Sequence, residues 1–248
     1  MKKIKYFIIT LIFLGSLFFL FGPEVLPENQ QFNDFLSIAS KNDVVIIFNS
    51  GGWGNTPPEK AKDFAPIIEK TQKILNEWGY NSVVIPYART KDSFWGKITG
   101  TKEIFQSFSD QAQKLSGDIN KFLAENPNKK IIIAGLSNGA AFVNETTKRI
   151  PQDWRKQVYA IEIGSPFWEK ALDSENILYL NNKGKDSLAA GEMKTLILNL
   201  FKAPFKWVLA EFSGKEITLS KALYLSGHEY SWQAVEPELV SFLDSRLK

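Results

Sequence analysis

Short apolar, β-branched runs alternate with segments of helical periodicity along most of this chain, and that alternation restricts the folds open to it. Runs so apolar are typical of strands covered on both faces, and strands that alternate with helices form a parallel sheet. The predicted strands are Asp43–Phe48, Ser82–Tyr87, Lys130–Gly135, Val158–Ile163, Asn176–Leu180 and Leu219–Leu225. The predicted helices lie within 64–78, 108–125, 138–150, about 188–212 and 232–247, whereas 89–107 is expected to be irregular. The sequence therefore predicts one α/β domain over residues 43–248, with a mostly parallel central sheet and helices on both faces.

The N-terminus has the pattern of a targeting segment. Lys2, Lys3 and Lys5 precede an uncharged apolar run from Tyr6 to Gly22, and no small-x-small cleavage site follows it. We interpret residues 1–22 as a signal anchor, with 4–22 in the membrane, in preference to a signal peptide. Lysines at this position stay cytoplasmic, so the catalytic domain is expected outside the cytoplasmic membrane. The alternative is secretion after cleavage. Residues 23–42, which contain two prolines, are expected to be a linker.

A serine flanked by glycines follows the strongest predicted strand. The segment is Gly135-Leu136-Ser137-Asn138-Gly139, and a predicted helix comes directly after it. A strand, a tight turn and a helix in this order would project the Ser137 hydroxyl above the sheet edge as a nucleophile. Glycines suit the flanking positions because a side chain there would crowd the strained turn. The alternative is an ordinary strand-to-helix turn in which serine caps the helix.

The chain has one histidine, so its assignment as the catalytic base can be tested. His228 comes just after the last predicted strand, at the sheet edge where catalytic groups gather. Asp186 follows the preceding strand and is the predicted acid that orients the imidazole. Asp173 lies before that strand, at the sheet edge opposite His228, and Glu192 is a weaker candidate for the acid. The alternative for Asp186 is a helix N-cap.

Composition excludes several other classes of function. There is no cysteine and only one histidine, so no metal cluster is visible in the sequence. A net charge of +3 without a dense basic stripe gives no reason to expect a nucleic-acid partner. Neither G-x-G-x-x-G nor a GK[ST] loop is present. We expect no cofactor.

These motifs, in the order serine, aspartate, histidine, resemble the α/β-hydrolase superfamily, especially its small lipases and esterases. The resemblance covers residues 43–248 by element order. It implies a serine hydrolase that cleaves carboxylic esters, including lipid or thioester substrates, through an acyl-enzyme. Only 48 residues separate Ser137 from Asp186, which leaves no room between them for a large lid. Rival interpretations are an acyltransferase or peptidase using the same triad, and a non-catalytic binding protein with this fold.

The resemblance also implies an oxyanion hole. Its first donor would be the amide of Asn138, and its second would come from the glycine-rich loop that includes Gly51 and Gly52. That loop, Asn49-Ser50-Gly51-Gly52-Trp53, looks like the HGGG-type loop of the family but has Asn49 in place of histidine and Ser50 in place of glycine. The second donor therefore stays open between Gly51, Gly52 and Trp53.

Aromatic residues cluster near the expected mouth of the site. We expect Trp53, Trp95 and Phe167 to contact substrate, as part of an apolar acyl pocket. The alternative is packing in the core or at its rim, which we expect for at least half of the aromatic residues here.

Overall fold

The computed structural model describes residues 36–192 and 227–248. Its five strands are β1 (Val44–Asn49), β2 (Ser82–Pro86), β3 (Lys130–Leu136), β4 (Val158–Ile163) and β5 (Ile177–Leu180). Its five long helices are α1 (Ala65–Glu77), α2 (Phe94–Phe105), α3 (Ser109–Glu125), α4 (Asn138–Lys148) and α5 (Trp232–Leu247). Short 3₁₀ helices lie at Pro58–Lys60, Gln152–Trp154 and Asn182–Gly184.

The strands form one sheet in the order β2-β1-β3-β4-β5, and every neighbouring pair is parallel. All five carboxyl ends therefore lie at one edge of the sheet, which is where the loops after β1, β3, β4 and β5 meet. The predicted α/β class with a mostly parallel sheet is confirmed, and the strand bounds agree with the sequence to within a residue or two.

The core divides into two clusters, one on each face of the sheet. Successive side chains of a strand point to opposite faces. Ile46 and Ile132 face the cluster that includes α1 and α5, while Ile47 and Ile133 face the cluster that includes α3 and α4. All four isoleucines are fully buried, so helices cover both faces, as the unbroken apolar strands predicted.

The structure differs from the sequence prediction at residues 89–107, where α2 replaces the expected irregular segment. The Ser93 hydroxyl caps this helix by accepting a hydrogen bond from the Gly96 amide. Gly96 and Gly100 lower the helix propensity of the segment, but both approach neighbours closely. A Cβ at Gly100 would lie 2.6 Å from the Thr90 side chain. Close packing therefore requires glycine at these two positions, and the same glycines made α2 hard to predict from the sequence.

Several predicted elements fall wholly or partly outside the described residues. These are the signal anchor over 1–22 with its membrane segment 4–22, most of the linker, the strand Leu219–Leu225 and most of the helix predicted over 188–212. Residues 187–191 form turns rather than the start of that helix. Within 36–192 and 227–248, no helix is long and apolar enough to cross a membrane.

One carboxyl group lies within the sheet. Glu162 on β4 is fully buried, between Gly135 of β3 and Tyr179 of β5, and neither of its carboxyl oxygens has a hydrogen-bond partner among the described residues. Burial raises the pKa of Glu162 to about 8; the nearby Lys148 opposes this increase and Glu169 adds to it. The folded chain therefore holds Glu162 protonated at neutral pH.

A pH-dependent stability follows. Between the ordinary glutamate pKa of 4.5 and about 8, the folded state binds a proton that the unfolded state has released. The free energy of unfolding should therefore fall as pH rises through this window, by up to about 1.4 kcal/mol per pH unit. Glu162→Gln should remove this slope and be more stable than the parent near pH 8. Urea denaturation from about pH 5 to about pH 8 measures both. Exposed Glu125→Gln should keep the parent slope, and an unchanged slope in Glu162→Gln would contradict the prediction.

Candidate active site

Ser137 lies at the turn between β3 and α4, at the carboxyl edge of the sheet. Its backbone has φ 55° and ψ −121°, a left-handed conformation that costs a non-glycine residue on the order of 1–3 kcal/mol. The Ser137 amide donates to the Ile163 carbonyl at 2.8 Å, and the Ser137 carbonyl accepts from the Ala140 and Ala141 amides. Strained backbone held by its surroundings is characteristic of functional turns.

The two glycines around Ser137 permit close approach of backbone segments. A Cβ at Gly135 would lie 2.3 Å from the Gly139 carbonyl oxygen, and one at Gly139 would lie 2.4 Å from the Asn49 carbonyl oxygen. Neither position tolerates a side chain without moving backbone. The turn therefore packs against both its own helix and the end of β1, as the crowding argument from sequence expected.

Asp186 and His228 form a hydrogen-bonded pair. Asp186 Oδ2 and His228 Nδ1 lie 2.8 Å apart, and the Asp186 side chain is fully buried while the histidine is partly exposed. The other carboxylate oxygen, Oδ1, accepts from the Leu188 and Ala189 amides at 2.9 and 3.2 Å. The aspartate thus holds the imidazole and also caps the turn that follows it. Because residues 187–191 are turns, this is not the helix N-cap considered as the alternative.

The loops that carry the pair are packed together. A Cβ at Gly227 would lie 2.1 Å from the Lys185 carbonyl oxygen, and Asn182 Nδ2 donates to the Gly227 carbonyl at 2.9 Å. Gly227 has φ 72°, which a residue with a side chain rarely adopts. The glycine before the histidine is therefore required both by its conformation and by its neighbour.

Gly164, just after β4, allows Asp186 and His228 to lie against the end of the strand that bonds the Ser137 amide. It follows Ile163, the residue whose carbonyl bonds the Ser137 amide. A Cβ on Gly164 would lie 2.9 Å from both Asp186 Oδ2 and His228 Cε1. The structure shows that a side chain here would displace the pair.

The carboxylate of Asp186 is electrostatically favoured despite its burial. Burial is the largest single influence and raises its pKa, but hydrogen bonds from His228 and Tyr230, the nearby imidazole and the Ala189 amide together lower it below the ordinary aspartate value. An ionised Asp186 accepts the Nδ1 proton of His228, which leaves Nε2 of the neutral ring free of a proton. This is the tautomer a general base requires.

Tyr230 is a site residue that the sequence analysis missed. Its hydroxyl donates to Asp186 Oδ2 at 2.5 Å, and its ring is buried in the cluster that contains α5. Burial and the adjacent carboxylate both raise the pKa of Tyr230, so its hydroxyl stays protonated and can only donate to Asp186. Its place two residues after His228 was the available signal, but no motif marks it.

For the ester hydrolysis that we propose, Tyr230→Phe should reduce kcat/KM by about 10- to 100-fold, since a hydrogen bond to a charged group contributes about 1.5–3 kcal/mol. Loss of this bond also raises the pKa of Asp186, so activity should disappear at a higher pH than in the parent as the medium is acidified. A pH–rate profile of both proteins checks this. Tyr159→Phe removes a hydroxyl bonded to the Lys156 and Arg246 carbonyls, at the far end of the sheet, and should leave the profile unchanged. Coincident profiles for Tyr230→Phe and the parent would refute the role.

The predicted oxyanion residues lie next to Ser137. A Cβ on Gly51 would be 3.6 Å from Ser137 Cβ, and Asn138 is the first residue of α4. The Asn138 side-chain amide donates to the Gly52 carbonyl at 3.3 Å, which ties the glycine-rich loop to the start of that helix. A Cβ on Gly51 would meet the Ser137 side chain, whereas one on Gly52 would meet nothing within 4 Å, and Gly52 contacts the turn only through its carbonyl.

The predicted substrate-contacting aromatics lie after the same strand ends. Trp53 is 40% exposed and Phe167 is 39% exposed, so the core interpretation does not hold for these two. Trp53 Nε1 donates to Thr101 Oγ1, and Phe167 packs edge-to-face with the 51%-exposed Trp168. Trp95 lies in the first turn of α2, and its side chain is outside the described part of the structure.

A metal site is not visible in the described ranges. Over 36–192 and 227–248, no group of three or more histidine, aspartate or glutamate side chains is arranged to hold a metal ion. The polar groups near Ser137 are instead an imidazole, a carboxylate, a tyrosine hydroxyl and backbone amides, a set suited to proton transfer and to stabilising an oxyanion.

The chain is similar in structure to Trichoderma reesei cutinase in complex with a C11Y4 phosphonate inhibitor. The TM-score is 0.55 and the sequence identity 14%, over 95% of this chain and 97% of that one. With the parallel five-stranded sheet flanked by helices, this likeness shows that the chain has the α/β-hydrolase fold. At so low an identity it shows the fold alone.

Comparison by sequence adds nothing to this. No model of a known protein family matches the chain, and no curated protein sequence matches it. The expected resemblance to the α/β-hydrolase superfamily is thus supported for the fold, while membership of its small lipases and esterases remains a proposal.

Proposed function

We propose that this chain is a serine hydrolase of carboxylic esters, with Ser137 as nucleophile, His228 as general base and Asp186 as the orienting acid. The observation that carries the proposal is the hydrogen-bonded Asp186–His228 pair, set beside the strand end that bonds the amide of the strained Ser137. A buried carboxylate with a lowered pKa, bonded to a partly exposed imidazole at the same sheet edge as such a serine, is suited to acyl transfer.

In the proposed reaction the Ser137 hydroxyl attacks the ester carbonyl while His228 Nε2 takes its proton. The carbonyl oxygen becomes an oxyanion, which the Asn138 amide and an amide of the Gly51–Gly52 loop stabilise. The tetrahedral intermediate then expels the alcohol, which receives the proton from His228. Water attacks the acyl-enzyme by the same route and releases the acid. Asp186 keeps its negative charge throughout and stabilises the imidazolium.

The exposed aromatic side chains favour an apolar acyl group as substrate. Trp53, Phe167 and Trp168 are between 39% and 51% exposed, on loops that follow β1 and β4. Such rings bind alkyl chains by burial of apolar surface, at roughly 25 cal/mol per Å². The inhibitor of the structurally similar cutinase is a phosphonate, which makes alkyl phosphonates suitable probes. We therefore propose lipid-like esters, including thioesters, as the substrate class.

The test is hydrolysis of nitrophenyl esters of graded acyl length by the chain without residues 1–22, together with labelling by a fluorophosphonate. The expected result is turnover, with label on the peptide that contains Ser137. The acyl length with the highest kcat/KM identifies the pocket preference. No turnover at any length together with no label would overturn the proposal and favour a binding protein with this fold.

The same assay separates the rival enzymatic interpretations. A hydrolase resolves its acyl-enzyme with water, an acyltransferase resolves it with an added alcohol, thiol or amine, and a peptidase also cleaves amides. Product analysis by mass spectrometry, with and without added acceptors, should yield the free acid as the main product. Acyl transfer that dominates at low acceptor concentration would reassign the chain to the acyltransferases while keeping the triad.

A further inference from the structure

A buried arginine lies behind the glycine-rich loop that follows β1. Arg89 is only 1% exposed. Its Nη2 donates to the Ser50 carbonyl at 2.7 Å and makes a longer hydrogen bond, of 3.4 Å, to the Gly52 carbonyl. A charged side chain is rarely buried to this extent unless its surroundings compensate it, so its position requires an explanation.

The surroundings of Arg89 hold the guanidinium in one place. Its Cζ lies 5.0 Å from the centre of the Phe108 ring and 5.6 Å from that of Phe142 on α4, within the range of cation–π attraction. A Cβ at Gly54 would lie 2.3 Å from Arg89 Nε, so the glycine makes room for it. Burial lowers the pKa of Arg89 to about 9, against the opposing effect of Tyr87 and Glu103, and the side chain remains charged at neutral pH.

Every carbonyl of the loop Ser50–Gly54 accepts a hydrogen bond. Besides the two bonds to the guanidinium, the Gly54 carbonyl accepts from the Arg89 amide and the Gly51 carbonyl from the Gly54 amide. The Trp53 carbonyl accepts from the Thr90 hydroxyl. The Gly52 carbonyl also accepts from the Asn138 side-chain amide at 3.3 Å. Three of these five carbonyls therefore bond Arg89, more than bond any other residue.

Fixing a carbonyl also fixes the amide of the next residue. The peptide bonds described are all trans, so the C=O of Ser50 and the N–H of Gly51 point in opposite directions in one plane. Arg89 binds the carbonyl side, and the Gly51 amide therefore points away from it. Gly51 is the loop residue whose Cα lies against the Ser137 side chain, since a Cβ there would be 3.6 Å from Ser137 Cβ. The Gly52 carbonyl is shared between Arg89 Nη2 at 3.4 Å and the Asn138 side-chain amide at 3.3 Å, so the direction of the Trp53 amide does not follow in the same way.

We propose that Arg89 is a positioning residue for the oxyanion hole: its guanidinium holds the Ser50 and Gly52 carbonyls so that the Gly51 amide faces the oxyanion formed at Ser137. This inference rests on the proposed ester hydrolysis. Arg89 contacts neither substrate nor reacting atoms, and it acts through the loop. Both bonds come from one nitrogen, Nη2, whose direction the planar guanidinium fixes between its aromatic neighbours, whereas a lysine ammonium on a flexible stem has no such fixed direction.

The test measures kcat and KM for a nitrophenyl ester in Arg89→Met and Arg89→Lys, with melting temperatures. Loss of one oxyanion donor lowers kcat by about 10²–10³-fold. We expect a fall of about 10²-fold in Arg89→Met, at least about 10-fold in Arg89→Lys, and little change of KM, because the interaction forms only in the transition state. Arg89→Lys keeps the charge and decides the question if Arg89→Met does not fold.

Arg155→Met is the matched control. Arg155 also donates to a main-chain carbonyl, that of Ile150 at 3.2 Å, but it precedes β4 at the opposite edge of the sheet, and its kcat should equal that of the parent. The inference is overturned if folded Arg89 variants keep kcat within about 3-fold of the parent, or if KM rises while kcat is unchanged. An inactive, unlabelled parent would instead refute the proposed function, so the two failures are distinguishable.

Discussion

Replacing Ser137 with alanine should lower kcat for nitrophenyl ester hydrolysis by about 10³- to 10⁶-fold and abolish labelling by fluorophosphonates. In the proposed mechanism this hydroxyl forms the covalent bond to the acyl group, and alanine has no nucleophilic atom in its place. The residual rate should reflect only the oxyanion donors and substrate binding. Steady-state kinetics at saturating ester, together with intact-protein mass spectrometry after labelling, measure both quantities.

The matched control for this variant is Ser116→Ala. Ser116 is a buried serine on α3 whose hydroxyl donates to the Gln113 carbonyl, and its loss should leave kcat and labelling as in the parent. Circular dichroism establishes that both variants fold. If folded Ser137→Ala hydrolyses esters at the parent rate, or still takes up one equivalent of label, the nucleophile lies elsewhere in the chain.

Asp186→Asn should lower kcat by about 10⁴-fold although it changes few atoms. The two backbone amides at Oδ1, those of Leu188 and Ala189, would retain the single oxygen of asparagine, and its NH₂ would then face His228 and Tyr230. That NH₂ is a donor, so Nδ1 of His228 must become the acceptor and Nε2 must carry the proton. An imidazole protonated at Nε2 cannot take the proton of the Ser137 hydroxyl.

Asp173→Asn is the control for this substitution. Asp173 is exposed and precedes β5, at the amino edge of the sheet, so its neutralisation should leave kcat unchanged. Fluorophosphonate labelling of Asp186→Asn should slow in parallel with kcat, because both reactions need the activated hydroxyl. A kcat within about 10-fold of the parent value would show that Asp186 does not set the tautomer of the histidine.

Much of the fold could be predicted from local sequence. Unbroken aliphatic runs such as Ile131-Ile132-Ile133 predicted strands covered on both faces, and the structure buries them between two helical layers. The carboxyl edge was predictable as well, because all strands of a parallel sheet end at the same side. From that edge alone, Asp186 could be preferred to Asp173, and the structure does bring Asp186 to His228.

Helix α2 could not be predicted, for a reason that lies in its packing. Gly96 and Gly100 weaken the local helical preference. Only the closeness of the Lys91 backbone to Gly96, and of Thr90 and Trp53 to Gly100, shows why glycine is present. The same holds for Gly164, whose sequence context gives no sign that Asp186 and His228 lie against it. Close approach of distant segments leaves no periodic signal in the sequence.

The sequence by itself determined the class of fold and predicted both the glycine-flanked turn at Ser137 and the pairing of Asp186 with His228, because these follow from local periodicity, strand order and a single histidine. The tertiary structure alone decided which polar groups hold that site in place. Tyr230 reaches Asp186 across 44 residues of chain and Arg89 reaches Ser50 across 39. Hydrogen bonds over such separations depend on how the loops pack at the sheet edge, and residue type and spacing do not encode that packing in any local pattern.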